Sequence, residues 1–131
     1  MASLTVDDAR RLAEDAIARI AAGRRGTHVV AQAVCGGMIA GDLAEDTLLL
    51  EVTGEEWRAI REEDLTHLLP RPLPGRLFLM SLSQTTFAEM LRAGDPRLLA
   101  AAQGHRILLD RRGWLAKRLR AAVRPRARAR R

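Results

Sequence analysis

Between positions 35 and 52 the chain reads CGGMIAGDLAEDTLLLEV. Glycines at 36, 37 and 41 let backbone N–H groups come close to an anion, so this stretch could cradle a phosphate. It is not a Walker loop, because no Gly-Lys-Ser/Thr follows, and it is not Gly-x-Gly-x-x-Gly. On local physics alone the glycines mark the turn that ends a strand. The nearby acids Asp42, Asp46 and Glu51 are the groups that could hold a divalent cation. Asp46 and Glu51 are five positions apart, so on one strand they face opposite sides and do not chelate together. Asp42 and Asp46 could share an ion, displaced from the glycine turn. Cys35 would need a neighbouring base or cation to become a nucleophile, and a small buried apolar role is expected instead. His28, His67 and His105 are scattered without ligand spacing. Ser81 and Ser83 come with no nucleophile-elbow motif.

The elements that must position these groups can be read from periodicity. Thr5 is a helix N-cap with Asp7 and Asp8 in the first turn, where the helix dipole favours negative charge. Val6, Ala9, Ala13, Ala16, Ile17 and Ile20 form one apolar face, and Gly23 is expected to stop the helix. Residues 27–35 suit a buried strand, 36–46 a loop with room for one helical turn, and 47–52 a second strand, apolar on both faces as in the middle of a covered sheet. A helix is then expected over 54–69, capped by Thr53 with Glu56 at the capping-box position and a rough apolar face of Trp57, Ile60, Leu65 and Leu68. PRPLPG at 70–75 is a turn-forming linker. Residues 76–83 read as a third strand, and Ser83 or Thr85 starts a helix. Asp95–Pro96 opens another helix, which closes at Gly104. Residues 105–113 are expected to form a short edge strand and turn, and 114–123 a last amphipathic helix anchored by Trp114, Leu115 and Leu119.

The chain of 131 residues is long enough for one domain with a proper core, and its 47% apolar and 29% charged residues are ordinary for a globular protein. No run reaches the ~18 apolar residues of a membrane span, and the first fifteen residues show no basic region followed by an apolar one. A cytoplasmic protein without membrane attachment is expected. One cysteine excludes an intramolecular disulfide and a Cys-based zinc site. The net charge of +6 conceals an asymmetry: residues 105–131 carry +10 and the preceding part −4. Arg124, Arg126, Arg128, Arg130 and Arg131 could neutralise several phosphates of a nucleic acid, with strong salt dependence. No aromatic residue is interleaved with them, so base stacking is not provided there. The expected division is a domain over 1–119 and an Arg-rich tail over 120–131, its last eight residues without large apolar side chains and disordered.

The stretch 36–52 resembles the signature of the minimal nucleotidyltransferase domains, relatives of the DNA polymerase β superfamily. Gly36 and Gly41 match the two spaced glycines, and Asp42 matches a commonly acidic position. Gly37 stands where the family has serine, and Met38 and Ala40 where it often has arginine. Leu48 and Leu50 stand where it has its two metal-binding aspartates. Residues 81–115 are similar to the family's closing section, but the strand at 76–82 lacks the third carboxylate often found there. The resemblance implies an α/β (α+β) fold, a small mixed sheet flanked by helices. It also implies a two-Mg²⁺ phosphoryl transfer whose ligands are replaced here by leucine, which can neither bind metal nor stabilise a leaving group. The expectation is a catalytically inactive binding or regulatory module with a vestigial phosphate loop at Gly36, Gly37 and Gly41 and no cofactor. Mg²⁺ and nucleotide enter only if Asp42 and Asp46 substitute for the lost ligands. The resemblance also implies a small helical protein partner, as in toxin–antitoxin-like pairs, or a homodimer, using apolar faces of the 53–69 and 114–123 helices. Nucleic-acid binding through the tail is the remaining alternative.

Overall fold

The computed structural model describes residues 5–42, 44–55, 60–69 and 75–123. A long helix α1 (Val6–Arg24) leads into β1 (Val29–Gly36), a four-residue helix α2 (Gly37–Ala40) and β2 (Thr47–Thr53). Then come β3 (Arg61–Asp64), a 3-10 turn at Thr66–Leu68, β4 (Leu77–Ser83), α3 (Gln84–Arg92) and α4 (Pro96–Gln103). The chain closes with β5 (His105–Asp110), a 3-10 turn at Arg111–Gly113 and α5 (Trp114–Ala122). The five strands form one mixed sheet in the order β3-β4-β2-β1-β5, with β2 and β4 parallel and the other pairs antiparallel.

The helix starts follow from local chemistry. Thr5 and Asp8 exchange side-chain-to-backbone hydrogen bonds in a capping box at the start of α1. The Ser83 hydroxyl accepts from the Thr86 amide to begin α3, and the Asp95 carboxylate accepts from Arg97 and Leu98 to begin α4, with Pro96 in its first turn. α1 does not stop at Gly23 but continues to Arg24.

Alternation along the central strands divides the core in two. Leu50, Val52, Met80, Leu82, Ala31 and Ala33 face the layer of α3, α4 and α5, where Phe87, Leu98, Leu115 and Leu119 cover them. Leu49, Leu77, Leu79 and Val34 face α1 through Ala13, Ile17 and Ala21. β2 lies in the middle of the sheet and is covered on both faces, as its apolar run requires.

The expected helix over 54–69 is corrected. Thr53 ends β2, and Arg61–Asp64 pairs antiparallel with β4, Arg61 opposite Ser81 and Asp64 opposite Phe78. Arg and Glu favour helix only weakly, and backbone pairing to a strand distant in sequence overrides that preference. Of the expected apolar face, Leu65 is buried but Ile60 and Leu68 are exposed. Glu56, Trp57, the linker at 70–74 and the tail at 124–131 lie outside the described residues. Residues 120–122, assigned above to the tail, form the last turn of α5. Among the described residues no helix is long and apolar enough to cross a membrane.

Candidate functional site

The glycine turn sits where β1 ends and β2 begins. Gly36 has φ +92°, closed to most side chains, and Gly41 caps α2 in the left-handed region at φ +86°. The nest between them is engaged by the chain itself. The Gly37 amide donates to the Asp46 carbonyl at 2.8 Å, and the Met38 amide to the Thr47 hydroxyl at 3.0 Å. The Asp42 amide donates to the Gly37 carbonyl at 2.8 Å. A Cβ on Gly37 would fall 2.4 Å from the Glu45 carbonyl oxygen and 2.5 Å from that of Asp42. These glycines thus let the 42–46 loop fold back onto the turn. Gly37→Ala should therefore destabilise the fold by about 1–3 kcal/mol through overpacking against backbone, read as a lowered urea midpoint at unchanged slope.

Leu48 and Leu50 share the sheet face under α3–α5. Leu50 pairs with Met80 and Ala33 and is completely buried. Leu48, half-buried and opposite Phe78, lies in a cleft of about 340 Å³ that Phe78 and Met80 also line. Asp46, Glu62, Glu63 and Arg97 are its charged lining residues, and the Arg97 guanidinium is paired with the Glu62 carboxylate. Of the two acids expected to substitute as ligands, Asp46 reaches this cleft. Asp42 does not line it, and its Oδ1 accepts from the Ala44 amide at 3.0 Å instead. Among the described residues no three His, Cys, Asp or Glu side chains are grouped to hold a metal ion. Glu62 and Arg97, 35 positions apart, carry no local signal that they meet.

The remaining chemistry-bearing groups have structural employment. Cys35 is buried, and burial pushes its thiol up to about 11, far from a thiolate nucleophile at neutral pH. The Ser83 hydroxyl is used at the α3 cap, and His105 Nδ1 lies 2.9 Å from the Ala101 carbonyl. Glu51 is 1% exposed and belongs to the α1 face, opposite the leucine pair. Its carboxylate accepts from Arg24 Nε at 3.0 Å and Nη2 at 2.9 Å, from the Ser81 hydroxyl at 2.9 Å and from Gln32 Nε2 at 3.2 Å. Gln32 Nε2 also donates to the Ala21 carbonyl, and Gln32 Oε1 accepts from Arg25. Burial alone would raise the Glu51 carboxyl. The hydrogen bond and charge of Arg24, with the bonds from Ser81 and Gln32, outweigh it and hold the group below its ordinary value. This network ties the end of α1 to β1, β2 and β4.

No family model matches this sequence, and no curated protein matches it. The fold is similar to that of a nucleotidyltransferase-like protein from Exiguobacterium sibiricum, with a TM-score of 0.58 at 14% sequence identity. The match covers 86% of this chain and 38% of that one, so the chain spans well under half the length of that structure. At this identity the likeness is one of fold: a five-stranded mixed sheet flanked by helices, nucleotidyltransferase-like in architecture.

Proposed function

We propose that this nucleotidyltransferase-like domain does not transfer nucleotides and acts as a binding or regulatory module. The observation that supports it most is Leu50. It occupies a position that the resemblance aligns with a metal-binding aspartate, and it is sealed in the core, with Leu48 beside it on the wall of the neighbouring cleft. A two-metal transfer needs paired carboxylates at that place, and the engaged amides of Gly37 and Met38 weaken the phosphate side of the same site. The proposed partner is a small helical protein, as in toxin–antitoxin-like pairs, or a second copy. It does not dock on the apolar face of α5, because Leu115 and Leu119 are completely buried in the domain's own core.

Isothermal titration with Mg²⁺ and ATP tests the reading. The expected result is no metal-dependent binding at millimolar nucleotide. Binding that requires Mg²⁺ and disappears in Asp42→Asn or Asp46→Asn would establish the rival, an active transferase with a rebuilt metal site.

A further inference from the structure

A second cleft, of about 650 Å³, lies far from the glycine turn, between β1, the start of α3, the Arg111–Gly113 turn and α5. Val30 lines it, six residues along β1 from Gly36 and so about 20 Å from the turn. Among the described residues four cations line it, Arg111, Arg112, Lys117 and Arg118, and no acid does. Arg111 is anchored by its Nε to the Val29 carbonyl at 2.8 Å. Asp110, the acid next in sequence, has both oxygens engaged by the Leu115 and Ala116 amides at 2.9 and 2.8 Å. Among the described residues Arg112, Lys117 and Arg118 have no ion-pair partner.

Two features give the cleft more than charge. Trp114 is packed against the buried Phe87 at 5.5 Å between ring centroids, and the exposed Arg118 lies over the indole with its guanidinium carbon 4.5 Å from the ring centroid. A guanidinium lying over an aromatic ring offers a charged surface on which an unpaired base can stack. Arg112, at φ +63°, is the one non-glycine residue among those described with a positive φ. Such backbone is strained, and Arg112 is among the residues that line the cleft.

We propose that this cleft binds single-stranded nucleic acid. Arg111, Arg112 and Lys117 meet backbone phosphates, and one base stacks on the Arg118–Trp114 pair. The tail expected above to contact nucleic acid extends α5 in sequence, so it would add phosphate contacts without supplying the stack. Planar stacking selects an unpaired strand over a duplex, whose bases are already stacked. The inference does not depend on the loss of transferase activity, because the two sites share no residue.

Fluorescence anisotropy of the full chain with a labelled twelve-nucleotide strand, as a function of salt, tests this. Binding is expected at low salt, falling with a log–log slope of about −0.7 per phosphate contacted. Arg112→Ala with Lys117→Ala should weaken it at least tenfold and make the slope shallower by one to two such contacts. Arg118→Lys keeps the charge but not the plane, and should abolish the preference for an intact strand over an abasic one of equal length. Arg112→Gly should lose affinity while the melting temperature holds or rises, which separates binding from folding. Three results would overturn the proposal: no binding at low salt, equal affinity for intact and abasic strands, or binding lost only when the five arginines of 124–131 become glutamine.

Discussion

Arg24→Met should lower the stability of the fold by about 3–5 kcal/mol, because it strands a carboxylate at the centre of the α1-facing layer. Glu51 is 1% exposed, and Arg24 supplies two of its hydrogen bonds and, among the described residues, its only opposite charge. Ser81 and Gln32 would remain as donors, but neither carries charge. For a domain of this size the loss corresponds to a melting temperature lower by roughly 10 °C or more. The effect has a pH signature. In the native chain the Glu51 carboxyl is held below its ordinary value of 4.5. Its contribution is therefore complete above that value and is lost as pH falls through the depressed one. In the variant the balance reverses, burial dominates, and Glu51 is pushed upward. The variant's deficit should then shrink in acid, as Glu51 takes up a proton and its buried charge disappears. Thermal melts of both chains at pH 7 and pH 4 check this, and adding Glu51→Gln to Arg24→Met should recover part of the loss. A variant melting within a few degrees of the parent at pH 7 would show that the network is not what pins α1 to the sheet.

Aspartates placed at 48 and 50, where the resemblance puts the family's metal ligands, are not expected to create a metal site. Leu48→Asp with Leu50→Asp should leave the chain largely unfolded at neutral pH, and Mg²⁺ should not rescue it. Leu50 has no exposed surface and sits among Ala33, Met80 and Leu82 beneath the helical layer. Removing a buried leucine side chain costs about 2–5 kcal/mol, and an unpaired carboxylate in its place adds several more. Together they consume most of the ~5–15 kcal/mol by which domains are stable. Leu48→Asp alone lies at the cleft and should be tolerated far better. Circular dichroism of the single and double variants with and without Mg²⁺ separates these cases. A melting transition restored by Mg²⁺ would show that the cleft opens as far as residue 50, and would remove the main support for a silent site.

What could be read from the sequence was local. Thr5, Ser83 and Asp95 announce helix starts because a cap needs only its own first turn. The apolar runs ending near Cys35 and Leu82 announce buried strands because burial repeats within a few residues. β3 escaped notice because Arg-Glu-Glu-Asp has no strand pattern of its own; it is extended only because β4 offers it a ladder. The Glu62–Arg97 pair, and the Glu51 network reaching from Arg24 to Ser81, join residues from separate elements. The glycines at 36 and 37 were legible as a turn, but that the backbone of Asp42, Glu45 and Asp46 fills it was not. The Trp114–Arg118 stack was within reach, since residues four apart meet on one helix face. No aromatic lies among the tail arginines; Trp114 stands ten residues before Arg124, at the start of α5.

β3 has a consequence for how copies of this protein can meet. Its four residues, Arg61, Glu62, Glu63 and Asp64, are all exposed along the sheet's outer border. Each border carries three acids and one arginine, so two of them brought together repel on balance, although a two-fold register that sets Glu62 against Glu63 would also set Arg61 against Asp64. The border therefore resists both fibre growth and a dimer made by merging sheets at neutral pH. A homodimer joined through another surface avoids that repulsion.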